Sequence, residues 1–562
     1  MQLTKINGSF PGPRWALSLV FTFHFSLFTS AQLREIPYES DSTFYRADLA
    51  IKNAARCIYL FLEADSLASL PSNYAALKNL KGITFKNCRM VNWEETLNQL
   101  SKLPHLEYLE ISVNPIQSLP QNIGSLRGLQ SLNLKSSLLE ELPETLTQCT
   151  QLRFLNLSFA RRLNWEQTFS LLSAMPSLEV LDLSACGLNS LPENFTTLTA
   201  LREIDLSDNR LSELPADFEK FSSLQTILLK NNPDLRLTIA ITELSEIISL
   251  KNLDLSFNNL SSLPSAIGDL RSLEKLDLSS NRLEGLPKTI SQLTQLKELN
   301  LGSDALGHLG NRIRDLPAGF NQLVNLEVLN LTRDSLGKIP AALASMPKLR
   351  VLNMTFCNLY EIDDVLRSCT RLEVLTLDYN KINRIPDWIG ELTQLRELHL
   401  NGDFFVNRLL KIPVLPSAIG ALENLEVLSL RDQVIQGLPS TLIQLQKLRV
   451  LDLRDNLLTG LPKEFVSLQN LEYLDLKAND LNSLPAGFAS LKKLKHCSIA
   501  YNYAIDLPAA VAEFKKMPWL QTLDISFNKL SPAIYNDLKK SLPQTTLIAK
   551  GYNNLTWDPQ RR

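Results

Sequence analysis

Leucine and other aliphatic residues recur along this chain in one fixed frame. Leu178-Glu-Val-Leu-Asp-Leu-Ser-Ala-Cys186, Leu201-Arg-Glu-Ile-Asp-Leu-Ser-Asp-Asn209 and Leu273-Glu-Lys-Leu-Asp-Leu-Ser-Ser-Asn281 align as L-x-x-L-x-L-x-x-N. Units begin at residues 57, 80, 106, 129, 152, 178, 201, 224, 250, 273, 296, 326, 349, 372, 395, 425, 448, 471, 494 and 520. The Leu-x-Leu alternation predicts a short strand with leucines on one face and variable residues on the other. One unit cannot bury its leucines alone. Stacking units at about 4.8 Å per parallel strand makes a continuous core, and the rest of each unit returns along the opposite side. The asparagine at position nine stands where the chain leaves the strand. Its amide can satisfy backbone groups buried by stacking, so Asn209, Asn281, Asn380 and Asn456 read as structural.

Most units end as in Leu286-Pro-Lys-Thr-Ile-Ser-Gln-Leu293 or Ile385-Pro-Asp-Trp-Ile-Gly-Glu-Leu392. Proline fixes φ where the return segment begins, and the following Ile and Leu face inward. With the strand frame, this ending resembles the leucine-rich-repeat family, and within it the short 23-residue repeats of plant Ras-group and exported bacterial proteins. The resemblance covers nearly all of the chain after its first residues. It implies an α/β fold: a leucine-rich-repeat solenoid, or horseshoe, with a parallel concave sheet and short helices or turns on the convex side. It also implies a binding scaffold rather than an enzyme. The paired cysteine-rich caps common in animal extracellular members are absent from the sequence.

Unit length varies. Most units have 23 residues, those at 80, 152, 224 and 494 have 26, and those at 296 and 395 have 30. In two of the 26-residue units, Asn92-Trp-Glu-Glu95 and Asn164-Trp-Glu-Gln167 read as capping boxes opening a longer helix. The 30-residue units place their additions between the strand and the L-P element. A solenoid exposes leucines at both ends unless capped. Residues 41–55, with Asp41 as N-cap and helical spacing at Tyr45, Leu49 and Ile51, are expected to form a helical cap. Thr546-Leu-Ile-Ala starts a last strand-like piece, with Trp557 expected over the final layer. The expected organisation is therefore a leader over 1–31, an N-terminal cap over 32–56, the solenoid over 57–545 and a C-terminal cap over 546–562.

The first 31 residues follow another pattern. Lys5 and Arg14 precede an apolar run from Trp15 to Phe28, and Thr29-Ser30-Ala31 come before Gln32. A basic start, a run of about 14 residues and small residues before a cut describe a secretory signal. The run is short for a membrane span, which needs about 20 residues. An uncleaved anchor is the alternative, and no later stretch reads as a span. The charge is nearly balanced, 57 Lys and Arg against 59 Asp and Glu, which gives no bulk field toward nucleic acid or anionic lipid. Seven cysteines raise the question of disulfides. Cys88, Cys186 and Cys357 occupy position nine, and Cys149 and Cys369 share another repeat position, so whole turns of the solenoid separate them and they read as buried thiols.

The outward strand positions form a ladder that includes Asp182, Asp205, Asp254, Asp277, Asn300, His399, Ser429, Asp452 and Asp475. The resemblance implies that Asp and Asn are frequent there because the row is solvated. The functional reading is a concave binding surface. A neighbouring row sets Arg431, Arg454 and Lys477 beside Asp432, Asp452, Asp455 and Asp475, and a further row supplies Phe159, Phe257, Phe356, Tyr379, Tyr501 and Phe527. Exposed aromatics of this kind are what interfaces prefer. The two long additions, 302–315 and 402–414, leave from one rim and offer Arg312, Arg314, Phe404, Phe405, Arg408 and Lys411. His399 and Ser429, with Glu397 and Asp378 near, compose a formal hydrolytic group, although an open sheet supplies no oxyanion donors or dry pocket. No phosphate loop or zinc spacing occurs, and no cofactor is expected. The sequence points to an exported module binding a protein, or a surface glycan, through its concave face and rim loops. A structural or adhesive envelope component and a hydrolase centred on His399 are the alternatives.

Overall fold

A computed structural model describes residues 42–63, 68–303 and 310–551. The expected leader over 1–31, Asp41, the centre of the first long addition and Trp557 lie outside the described residues. The chain divides into two compact bodies, one ending at Leu296 and the other beginning at Lys297. Each is a stack of repeats in which every unit start is followed, two residues later, by a strand. In the N-terminal body the strands run from Thr43–Phe44 to Lys275–Asp277, and in the C-terminal body from Glu298–Asn300 to Thr546–Ile548. Among the described residues, the strand pairings within each body are parallel and in register. In the C-terminal body Leu329, Leu352, Leu375, Leu398, Leu428, Leu451, Leu474, Cys497 and Leu523 face one another in sequence. These side chains are fully buried. Burying a leucine is worth roughly 2 kcal/mol, so the ladder is the main cohesive element of the body.

The return side is built as the L-P pattern dictates. Pro264, Pro287 and Pro386 have φ of −66°, −65° and −71° and each opens a five-residue 3-10 turn. The isoleucines Ile267, Ile290 and Ile389, each three residues later, are fully buried. The 26-residue units have room for a complete α-helix: Trp93–Leu100, Trp165–Leu172, Leu237–Ser245 and Leu507–Phe514. Asn92 and Asn164 cap the first two by accepting from the backbone N–H of Glu95 and Gln167, both at 3.2 Å. That is the asparagine half of the expected capping box.

Position nine carries the stack. The Asn209 amide donates to the carbonyls of Leu183 and Leu206 at 2.9 Å, and its Oδ1 accepts from Cys186 and Leu188 at 3.1 and 3.0 Å. Asn281, Asn380 and Asn456 repeat this pattern. Where cysteine stands instead, its thiol takes over one of the donations: Cys186 Sγ lies 3.2 Å from the Leu157 carbonyl and Cys357 Sγ 2.9 Å from that of Leu331. All seven cysteines are buried and unbridged. Burial pushes the thiols of Cys57, Cys149 and Cys369 up to about 11, which leaves them protonated and unreactive at neutral pH.

The N-terminal cap differs from the sequence expectation. Thr43–Phe44 is a strand paired with Tyr59–Leu60, and the helix that follows is only Ala47–Lys52. Tyr45 and Leu49 are exposed, and Ala50 is the residue of that helix facing the core. A strand supplies backbone partners to the edge of the sheet, which a helix does not. At the other end a helix, Pro532–Ser541, precedes the last strand, Thr546–Ile548, which pairs with Thr522–Asp524.

Candidate binding surface

The open sheet face is less available than the sequence suggests. Asp254, Asp277, Asp452 and Asp475 are buried, and Asp182 and Asp205 are partly so. Each turns an oxygen back onto its own chain. Asp182, Asp205, Asp254 and Asp277 accept from the backbone N–H two residues on, at 3.0, 2.9, 2.8 and 2.8 Å. Asp452 and Asp475 do the same at 3.2 and 2.9 Å. The row is rich in Asp and Asn because short side chains of this kind close the turn at the strand end, not because the position is solvated. Crowding has an electrostatic consequence. Burial and the facing Asp277 push Asp254 up to about 7, and burial and the facing Asp452 do the same to Asp475.

The mixed charges of the C-terminal body form a closed network on this face. Arg454 Nε lies 3.0 Å from both oxygens of Asp452 and 3.5 Å from Asp475, which also accepts from the Tyr473 hydroxyl at 3.3 Å. Arg431 is half-exposed and lies 3.5 Å from Asp455. His399 and Ser429 are register partners, but the Ser429 hydroxyl donates to Asn401 Oδ1 at 2.7 Å. His399 Nε2 sits 3.3 Å from Glu397, and Nδ1 has no protein partner. Asp378, raised by burial, is held by the Asn401 N–H and amide. The geometry therefore brings the formal hydrolytic residues together without the serine-to-imidazole bond that activates a nucleophile.

The trailing edge of each sheet, just past the strand, is different. Position eight adopts positive φ in unit after unit, including Phe159 (63°), Phe257 (59°), Phe356 (56°), Tyr379 (56°), Tyr501 (56°) and Phe527 (59°). Left-handed backbone costs a bulky residue about 1 kcal/mol or more, and Gly or Asn would adopt it more readily. The aromatic side chains are thus not there for local backbone reasons. They stand out from the edge and pack on their neighbours. Phe356 and Tyr379 stack with ring centroids 4.6 Å apart, Tyr501 and Phe527 at 4.2 Å. A cation from the preceding unit covers the free face: Arg333 over Phe356 at 4.8 Å, Lys477 over Tyr501 at 5.4 Å, Lys230 over Phe257 at 4.9 Å.

Both long additions leave this same edge in the C-terminal body. The first returns through Asn311, whose amide donates to the Leu301 carbonyl and so fills the place of a position-nine asparagine. Arg312 and Arg314 beside it are exposed. The second leaves at Gly402, where an added Cβ would run into the Asp432 carbonyl. It carries Phe404, Phe405, Leu409 and Val414, exposed by 74, 92, 82 and 65%. Arg408 is exposed as well. Lys411, expected on the rim, is not: its ammonium lies 2.8 Å from Asp432 and the side chain is 7% exposed. An aliphatic stem flanked by buried Ile412 draws it inward, and Asp432 supplies the charge.

The leading edge, just before each strand, carries a pattern that reading along the chain did not reveal. Position two of successive units in the C-terminal body is Lys297, Glu327, Arg350, Glu373, Arg396, Glu426, Arg449, Glu472 and Lys495. Arg350 bridges Glu327 and Glu373 at 3.4 and 2.7 Å, Arg449 bridges Glu426 and Glu472 at 3.7 and 2.8 Å, and Arg396 and Lys495 each lie 2.7 Å from a glutamate. The signal is legible in the column of position-two residues once the units are aligned.

Models of leucine-rich-repeat sequences match residues 54–182 and 235–368 as a leucine-rich repeat region, and residues 176–233, 423–481, 446–503 and 516–534 as leucine-rich repeats. No curated protein matches the chain. Among solved structures, a leucine-rich-repeat protein of Leptospira interrogans is similar over 90% of this chain and 100% of its own, at 27% identity and a TM-score of 0.47. The ectodomain of the Arabidopsis thaliana receptor kinase GASSHO1/SCHENGEN3 is similar over 90% of this chain and 62% of its own, at 25% identity and a TM-score of 0.48. TLR13, solved with an RNA, is similar over 90% and 82% respectively, at 20% identity and a TM-score of 0.54, a likeness of fold. The repeat frame, the buried leucine and asparagine ladders and the family matches agree: the chain belongs to the leucine-rich-repeat family.

Proposed function

We propose that this protein is an exported interaction module that binds a protein ligand through the trailing edge and open sheet face of its C-terminal body. The observation that carries this reading is the loop 403–414, with four large apolar side chains mostly exposed beside the Phe356–Tyr379 stack. Exposed apolar clusters on a rigid scaffold mark contact sites, and loops held by a scaffold are where binding residues concentrate. Shortening both additions to the 23-residue unit is expected to leave the unfolding midpoint nearly unchanged and to abolish capture of the ligand by the purified chain. Undiminished binding to an identified ligand after that deletion would move the function to the open face alone.

The leader supports export, and cleavage is expected after Ala31. N-terminal sequencing of the mature protein should start at or near Gln32; an intact Met1 in the cytosolic fraction would overturn that reading.

A further inference from the structure

The two edges of the C-terminal body use charge in opposite ways. On the leading edge Arg350, Arg396, Arg449 and Lys495 are each held by a glutamate of a neighbouring unit. On the trailing edge Arg312, Arg314 and Arg408 are exposed and form no ion pair among the described residues. The acids near them are committed elsewhere. Asp432 pairs with Lys411 and Asp455 with Arg431, while Asp403 and Asp315 accept from the N–H groups of Phe405 and Leu316 at 3.0 and 2.9 Å. On this edge Arg408 thus stands exposed and without an ion pair in the same loop as the uncovered Phe404, Phe405 and Leu409, and the other addition holds Arg312 and Arg314 exposed and without an ion pair.

Building on the interaction-module reading, we propose that the trailing edge of the C-terminal body docks an acidic polypeptide segment that carries an apolar anchor residue. Phe404, Phe405 and Leu409 take the anchor, and Arg312, Arg314 and Arg408 take its carboxylates. The additions stem from units four apart, which is roughly 19 Å at the spacing of parallel strands. An extended chain at about 3.3 Å per residue covers that distance with about six residues. Guanidinium groups suit carboxylates because their fork donates to both oxygens at once. Aliphatic Leu409 and Val414 beside the two phenylalanines favour a polypeptide over nucleic acid, since bases need ring faces to stack on and gain little from branched aliphatic groups.

The test uses the full mature chain and three fluorescent eight-residue peptides: Asp- and Glu-rich with a central Trp-Leu pair, the same with Ser-Gly at the centre, and a Lys-rich counterpart with Trp-Leu. Anisotropy titration should show binding of the first, at least about tenfold preference over the other two, and weakening as salt rises. The triple variant R312E/R314E/R408E should lose the acidic preference with an unchanged unfolding midpoint, and F404S/F405S should remove the advantage of Trp-Leu over Ser-Gly. Equal binding of acidic and basic peptides, or indifference to both variants, would overturn the proposal. Binding to phosphatidylserine vesicles with the same sensitivity, and to none of the peptides, would also overturn it and reassign the edge to a lipid surface. If loop shortening abolishes capture of an identified protein ligand while charge reversal does not, the module stands and the acidic partner falls.

Discussion

At the scale of single residues, Asp334 stands apart from the position-nine residues on either side of it. Its neighbours in the C-terminal body use an amide or a thiol to donate to strand-end carbonyls, and a carboxylate has nothing to donate. Asp334 Oδ1 accepts from Ile313 N–H at 3.0 Å, Oδ2 is buried without a partner, and burial raises the group well above the usual carboxylate range. Burial therefore favours the protonated form in the folded chain more than in the unfolded one. The folded state then binds a proton that the unfolded state has released above about pH 4, so stability is fully present below that pH and falls as pH rises toward the folded value, by about 1.4 kcal/mol per pH unit. Asp334→Asn restores the missing donor. The variant is expected to be more stable than the parent at pH 8 and to lose that part of the pH dependence; denaturant midpoints at pH 5 and 8 that move in parallel for both proteins would contradict this. The asparagine ladder itself was legible in the sequence, because Asn at one repeat position has few other uses. The role of the aspartate row was not, since solvation and turn closure select the same short polar side chains, and only the bonds to Ser184, Ser256 and Ser279 distinguish them.

At the scale of elements, unit length decides what the return segment becomes. Three extra residues convert a 3-10 turn into an eight- or nine-residue helix, and in the units at 80 and 152 the asparagine that begins it fixes where it starts. Asn164→Ala should cost about 1 kcal/mol and raise amide exchange chiefly over Trp165–Leu172. Exchange spread evenly through neighbouring units would show that the cap is not a local device. Sequence foresaw the helices at Trp93–Leu100 and Trp165–Leu172 because a capping asparagine followed by Trp-Glu is a local signal, and it missed those at Leu237–Ser245 and Leu507–Phe514, which lack that signal. It missed the strand at Thr43–Phe44 because a two-residue strand has no periodicity to read, and its pairing with Tyr59–Leu60 is a tertiary event. The left-handed position eight was equally hidden. Aromatics are the least expected occupants of such backbone, so their presence along the trailing edge became informative only once φ was known.

For the whole molecule, the alternating charges of the leading edge impose a parity on the repeats. Every glutamate from Glu327 to Glu472 stands between two cations, and every cation between them stands between two glutamates. Removing one unit, residues 349–371, would set Glu327 against Glu373; removing two, residues 349–394, would set Glu327 against Arg396 and leave the alternation whole. Like charges facing one another across strands repel and opposite ones attract, and both effects fade when salt shortens the Debye length to a few ångströms. Raising sodium chloride from roughly 0.05 M to roughly 0.5 M is therefore expected to raise the unfolding midpoint of the one-unit deletion and not that of the two-unit deletion. An identical salt response would show that the ladder is decoration. If the responses differ in sign, repeats in this body can be gained or lost without electrostatic conflict only in even numbers, so that the edge acts as an error check on the length of the protein.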